Sequence, residues 1–289
     1  MTDRFGQRLA GAFDAHGQLC VGIDPHGFLL QSWNLPDDAS GLREFGLRVV
    51  EAAAGRVGVV KPQVAFFERH GSAGYRALEE VLAAARASDL LIIADAKRGD
   101  VGSTVEAYAQ SWFTDGSALE VDALTMNAYP GVASLDAPVA LAHSAGKGIF
   151  ILAATSNPEA YELQHSTLVS GPSAGRTVAA SIVDAVAGIN ASARSESGGL
   201  GSIGVVLGAT VDLSGYGIDL ARMAEGAAMP ILAPGFGHQG AHYSELGDLY
   251  GAARGQVIVS ASRSILSAGP TGVADAIRSQ AKEVAQWRG

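Results

Sequence analysis

The chain has 289 residues, 48% of them hydrophobic and only 17% charged, which excludes a disordered chain. Its one cysteine, Cys20, excludes an intrachain disulfide and a cysteine-based zinc cage. Its net charge of −9, with Lys and Arg scattered, argues against nucleic-acid binding, where neutralising phosphates dominates affinity.

The opening residues, Met1-Thr2-Asp3-Arg4-Phe5-Gly6-Gln7-Arg8, mix charges and lack the apolar core of a signal peptide. No apolar stretch approaches the roughly 18 residues of a membrane helix. The expectation is a soluble cytoplasmic protein with no membrane partner. In chain order, an apolar run at 19–23 is followed by a helical pattern at 42–54. Then come a run at 57–60, a helix at 74–87, a run at 90–94, a helix at 104–112, and runs at 123–126 and 148–154. A polar connection at 157–173 leads to a helix at 176–191. A Gly- and Ser-rich loop at 192–202 precedes runs at 203–207, 230–233 and 257–260, and a last helix covers 271–287.

Most of the short runs are continuously apolar, as strands covered on both faces of a parallel sheet are. Eight strands alternating with helices fit a single-domain (β/α)8 TIM barrel over 1–289. A doubly wound open sheet is the alternative. The strand–helix rhythm continues through 192–202, so no domain boundary is expected there.

In a barrel of this kind the C-terminal strand ends meet at one mouth, where such enzymes place their active sites. Here those ends carry polar residues: Asp24; Lys61, Pro62 and Gln63; Asp95-Ala96-Lys97-Arg98-Gly99-Asp100; Thr155-Ser156-Asn157; Pro234 to Gly240; and Ser262-Arg263. Asp95 and Lys97 are two apart, so a regular strand points both into the barrel and Ala96 outward. Opposite charges there are costly unless paired or used. A structural ion pair is the plain alternative, but Lys61 and Asp24 at nearby strand ends favour function. An N-cap is the ordinary duty of an Asp at position 100. Thr104 shares its face if the helix has already begun.

Gly235-Phe236-Gly237-His238-Gln239-Gly240 matches G-x-G-x-x-G, but it does not open a βαβ unit followed by an acidic residue. It reads better as a glycine-permitted loop whose N–H groups approach a phosphate. Arg263 would supply a fork for phosphate oxygens, the alternative being a surface ion pair. His238 and His242 have metal-ligand spacing around a glycine-rich loop, and no metal is expected there. Ser156 lacks a nucleophile elbow. Cys20 reads as a small buried hydrophobe, and Trp33, Trp112 and Trp287 read as packing residues.

Asp95-Ala96-Lys97-Arg98-Gly99-Asp100 resembles the D-x-K-x-x-D signature of the orotidine 5′-phosphate decarboxylase family. The ordered set Val21-Gly22-Ile23-Asp24, Val60-Lys61-Pro62-Gln63, Thr155-Ser156-Asn157-Pro158, Pro234 to Gly240 and Ser262-Arg263 is similar to that of its longer subgroup. Many members have His-Pro after the serine, where this chain has Asn157-Pro158. The resemblance implies a cofactor-free, metal-free (β/α)8 carboxy-lyase that forms UMP and carbon dioxide from orotidine 5′-monophosphate. It implies a homodimer with Lys61, Asp95, Lys97 and Asp100 as an alternating charged tetrad and Lys97 as proton donor. Asp100 and Thr104 would reach the partner's site. Asp24, with Gln63 as a further contact, would hold the ribose, and Ser156 would read the pyrimidine edge. Gln239, Arg263, Gly237 and Ser262 would bind phosphate. The competing readings are a metal-dependent sugar-phosphate lyase, a Schiff-base aldolase using Lys97 or Lys61, and a non-catalytic nucleotide-binding protein.

Overall fold

Eight parallel strands pair in chain order and close on themselves: β1 (Leu19–Ile23), β2 (Val59–Pro62), β3 (Leu91–Arg98), β4 (Ala123–Met126), β5 (Gly148–Ala154), β6 (Ile203–Leu207), β7 (Ile231–Pro234) and β8 (Val257–Ala261). The computed structural model describes residues 4–193, 199–225 and 228–288. The pairing of β1 with β8, in the register Leu19 with Val259 and Val21 with Ala261, replaces the open-sheet alternative with a closed (β/α)8 barrel.

Side-chain alternation divides the apolar residues into two cores. Leu19, Val21 and Ile23 point outward and pack with the surrounding helices. Cys20, Val59, Leu91, Ile93, Ala123, Phe150, Val206, Leu232 and Ile258 fill the interior. The helix Phe5–His16 caps that interior from below. Its Phe5, Leu9 and Phe13 recur every four residues and so share one face. Phe5 meets Phe150 edge-on, with centroids 5.9 Å apart and planes at 86°. Gly148 makes room for that ring, because a Cβ there would lie 2.4 Å from it. Arg8 bonds to Asp122 and donates to the Gly146 carbonyl at 3.0 Å, tying the plug to the barrel.

The floor of the barrel is therefore apolar and closed, and polar chemistry is confined to the other end. Phe5→Ala is expected to destabilise the fold by roughly 3–5 kcal/mol, the usual cost of emptying a buried aromatic site. Urea unfolding checks this, and an unchanged midpoint would remove the plug from the cooperative core.

Several element boundaries differ from the sequence expectation. The helix expected at 42–54 runs Ala39–Ala53, because Asp38 caps it by accepting from the Ser40 and Gly41 N–H groups at 2.8 and 3.0 Å. β3 continues to Arg98 rather than stopping at 94. The connection at 157–173 is partly built. It holds a 3-10 turn, Pro158–Ala160, and a short helix, Tyr161–His165, and Thr167 bridges to Thr177. Of the Gly- and Ser-rich loop, 194–198 lie outside the described residues, as do Met1, Thr2 and Asp3. Trp33 and Trp112 are buried, whereas Trp287 near the end of the last helix is 43% exposed and is not a core residue. Among the described residues no helix is long and apolar enough to cross a membrane.

Candidate active site

The open end of the barrel holds a cavity of about 690 Å³. Its lining brings together Asp24, Lys61, Gln63, Asp95, Lys97, Ser156, Ser262 and Arg263, eight of the twelve expected site residues. Asp95 stands in the second half of β3, and the others at or just beyond a strand end.

Asp95 is the hub. Its Oδ2 accepts from Lys61 Nζ and from Gln63 Nε2, both at 2.9 Å. Its Oδ1 accepts from Lys97 Nζ at 2.6 Å and from the Thr125 hydroxyl at 3.0 Å. Burial alone would raise the Asp95 carboxyl, but the two ammonium groups outweigh it and hold the carboxyl well below the usual carboxylate range. Burial likewise works against the Lys61 charge, and Asp95 and Asp24 overcome it, leaving the ammonium above its ordinary value. Asp95 and Lys61 are thus both ionised at neutral pH.

The two lysines differ in access. The Lys61 side chain is 7% exposed and the Lys97 side chain 47%. Lys61 is an internal counter-charge, and Lys97 presents its ammonium to the cavity.

A regular strand does not bring Asp95 and Lys97 together. The β3–β4 register runs from Ala94 opposite Leu124 to Arg98 opposite Met126, so β3 carries two extra residues over that span. Lys97 sits in this bulge at φ +49°, a left-handed conformation that non-glycine residues rarely adopt. Such strain persists only where surrounding contacts hold it, and it concentrates at functional sites. Ala96 does pack against the outer core.

Asp24 Oδ1 and Ser262 Oγ are buried, line the cavity and have no hydrogen-bond partner among the described residues. Buried polar atoms are normally satisfied, and both of these face the cavity. Arg263 opens the helix Arg263–Leu266 and has no salt-bridge partner among the described residues, unlike the surface ion pair considered for it.

Four expected site residues stand apart from this lining. Asp100 accepts from the Val101 N–H at 2.8 Å, and Val101 is the N-cap of the helix Gly102–Phe113. The N-cap expectation for Asp100 is thus corrected: the cap falls one residue later, at Val101, and the helix opens on Gly102 at φ +59°. Thr104 is exposed on that helix, with Val101 55% and Tyr108 36% exposed beside it. Gly237, at φ +72°, donates its N–H to the Ala241 carbonyl at 2.9 Å, inside its own loop. Gln239 ends the 3-10 turn Gly237–Gln239, and its side chain lies outside the described part. Gln63, expected as a ribose-side contact, donates from Nε2 to Asp95.

Sequence reasoning missed Thr125 and His26. Thr125 lies within the buried run of β4, but it is two residues after Ala123 and so shares its inward face. His26 lines the cavity between the rings of Phe28 and Phe66, with centroids at 5.2 and 4.3 Å, and burial lowers its imidazole. Among the described residues no group of three or more His, Cys, Asp or Glu is placed to hold a metal ion.

Comparison with known proteins gives a consistent result. The sequence profile of the orotidine 5′-phosphate decarboxylase / HUMPS family matches residues 17–277. The chain is 47% identical over 267 residues to the orotidine 5′-phosphate decarboxylase of Streptomyces coelicolor, covering 92% of this chain and 91% of that one. It is 45% identical over 289 residues to the enzyme of the same name from Corynebacterium glutamicum, covering 99% and 98%. A crystal structure of a candidate orotidine 5′-phosphate decarboxylase from Streptomyces avermitilis superposes with a TM-score of 0.89 at 45% identity, covering 99% of this chain and 96% of that one.

Proposed function

The chain belongs to the orotidine 5′-phosphate decarboxylase / HUMPS family, and from that premise we propose that it decarboxylates orotidine 5′-monophosphate, with Lys97 as proton donor to C6. The observation that carries this reading is the Lys61–Asp95–Lys97 array, in which one ammonium is buried and the other opens onto the cavity. Breaking the bond between C6 and the carboxylate releases carbon dioxide and leaves the electron pair on C6. The pyrimidine ring cannot delocalise that pair well. A fixed ammonium beside it stabilises the developing charge and then transfers a proton to C6. UMP results, and Lys97 regains its proton from water.

Asp95 accepts from the Lys97 ammonium and sets a negative charge where the substrate carboxylate would otherwise rest. Lys61 neutralises Asp95 from behind. Asp24, through its free Oδ1, takes the ribose hydroxyls, and Gln63 keeps its carbonyl oxygen and its second amide N–H for that side. Ser156 reads the pyrimidine edge. Arg263, Ser262, Gln239 and the loop at Gly237 take the phosphate. Asp100 and Thr104 stand on a face whose exposed apolar neighbours suit a second copy of the chain, so they serve the partner's site in a homodimer and Asp100 completes the charged tetrad there. The reaction needs no cofactor, and a cytoplasmic enzyme supplying UMP for pyrimidine synthesis is the fitting context.

Ultraviolet absorbance of orotidine 5′-monophosphate, followed with purified protein in EDTA, tests the reading. Loss of the substrate band with formation of UMP is expected. A requirement for added divalent metal would favour a sugar-phosphate lyase, and binding without turnover a nucleotide-binding protein. Borohydride trapping of a lysine with a carbonyl substrate would favour an aldolase.

Arg263→Ala is expected to raise KM for the phosphorylated substrate by roughly 10- to 100-fold, the worth of a charge-assisted fork on phosphate. Affinity for the nucleoside without phosphate should stay the same. An unchanged KM would place the phosphate elsewhere.

A further inference from the structure

We infer that Thr125 is a positioning residue for Lys97: its hydroxyl couples the Asp95 carboxylate to the backbone of the residue that carries the ammonium. The inference rests on Lys97 being the proton donor. Thr125 is 1% exposed on β4. Its hydroxyl donates to Asp95 Oδ1 at 3.0 Å, and its oxygen accepts the Lys97 N–H at 3.0 Å. One hydroxyl thus uses its donor and a lone pair on the two ends of a three-residue segment, and the Lys97 ammonium closes the figure on the same Oδ1.

This geometry answers a specific need. Lys97 sits at φ +49° in a two-residue bulge, where a regular strand ladder cannot hold it. The next residue is anchored outward, with Arg98 Nη2 donating to Glu68 Oε1 at 2.9 Å and to the Tyr75 hydroxyl at 3.1 Å. Lys97 N–H is drawn inward by Thr125. The opposed attachments hold the left-handed turn between them. They also fix where a long, half-exposed side chain leaves the backbone. Without the Thr125 oxygen, the Lys97 N–H loses its partner and Asp95 loses one of its four donors, while the groups assigned to ribose and phosphate are untouched.

Thr125→Ala and Thr125→Ser differ by a single oxygen and isolate its effect. Thr125→Ala is expected to lower kcat by roughly 10- to 100-fold, the range for a hydrogen bond to a charged group. KM and UMP affinity should stay within about two-fold, since the groups that bind substrate remain. Thr125→Ser should restore kcat to within about three-fold of the wild type. Amide hydrogen exchange at Lys97 in the ligand-free protein should speed up in the Ala variant and not in the Ser variant. Equal kcat in the two variants, or a loss confined to KM, would overturn the inference. If the wild type proves inactive on orotidine 5′-monophosphate, the functional reading fails by itself. The exchange comparison then still decides whether Thr125 holds residue 97, equal rates overturning it.

Discussion

Lys97→Ala is expected to abolish decarboxylation and to leave UMP affinity within a few-fold of the wild type. The ammonium has two duties in the proposed step, stabilising charge at C6 and delivering the proton. General acids contribute about 10²–10⁴-fold, and a preorganised electrostatic contact about 10²–10³-fold. The two act through one group and do not simply multiply, so a loss of at least about 10⁴-fold is expected. The product has no carboxylate at C6, and its phosphate and ribose are held by Arg263 and Asp24, so binding is spared. The backbone route is spared too, because Ala carries the same Cβ at that φ, and Lys61 still faces the buried Asp95. Single-turnover assays with orotidine 5′-monophosphate and titration with UMP separate the two effects. Turnover near the wild-type rate would exclude Lys97 as the proton donor, and loss of UMP binding would make it a binding residue.

The charged part of the site is legible in the sequence because charges at the ends of apolar runs stand out. Lys61, Asp95 and Lys97 each follow a run that reads as a buried strand, and the barrel topology brings those ends together. The barrel itself is legible for the same reason, since continuous apolar runs are what a strand covered on both faces requires. Thr125 is not legible. Threonine is an ordinary strand former, and only the inward register of β4 and the bulge of β3 give its hydroxyl two partners. That bulge is equally hidden. Period-two alternation puts Asp95 and Lys97 on one face, whereas the actual route passes through a left-handed Lys97 that no local pattern announces. The helix start at Ala39 was missed because periodicity begins at the first large buried residue, Leu42, while the cap at Asp38 acts earlier. The duties of Asp100 and Thr104 depend on a second copy of the chain, whose geometry one sequence does not describe.

Asp95→Asn is expected to reduce both turnover and stability, and the pH dependence of its stability carries the stronger test. An amide has nearly the carboxylate's shape, but one of its atoms is a donor. Asp95 accepts four hydrogen bonds, two on each oxygen, so an NH₂ at either position faces two donors. The Lys61 ammonium, 6% exposed, also loses its main counter-charge. Removing one partner of a buried pair typically costs about 3–5 kcal/mol. In the wild type the depressed Asp95 carboxyl contributes fully above its unfolded value of about 4, and that contribution is lost only as pH falls from there through the folded value. The raised Lys61 ammonium keeps its contribution until pH passes about 10, its unfolded value. These two groups therefore leave wild-type stability flat between pH 5 and 9. In the variant, burial is the largest influence left on Lys61, opposed by Asp24 and, more weakly, by Cys20. The folded ammonium then releases its proton before the unfolded one, and stability rises as pH climbs from about 7 toward 10. Urea midpoints across that range check the sign. A variant profile parallel to the wild type would mean that Lys61 finds another counter-charge, and the array would then not be the coupled unit that the proposed chemistry requires.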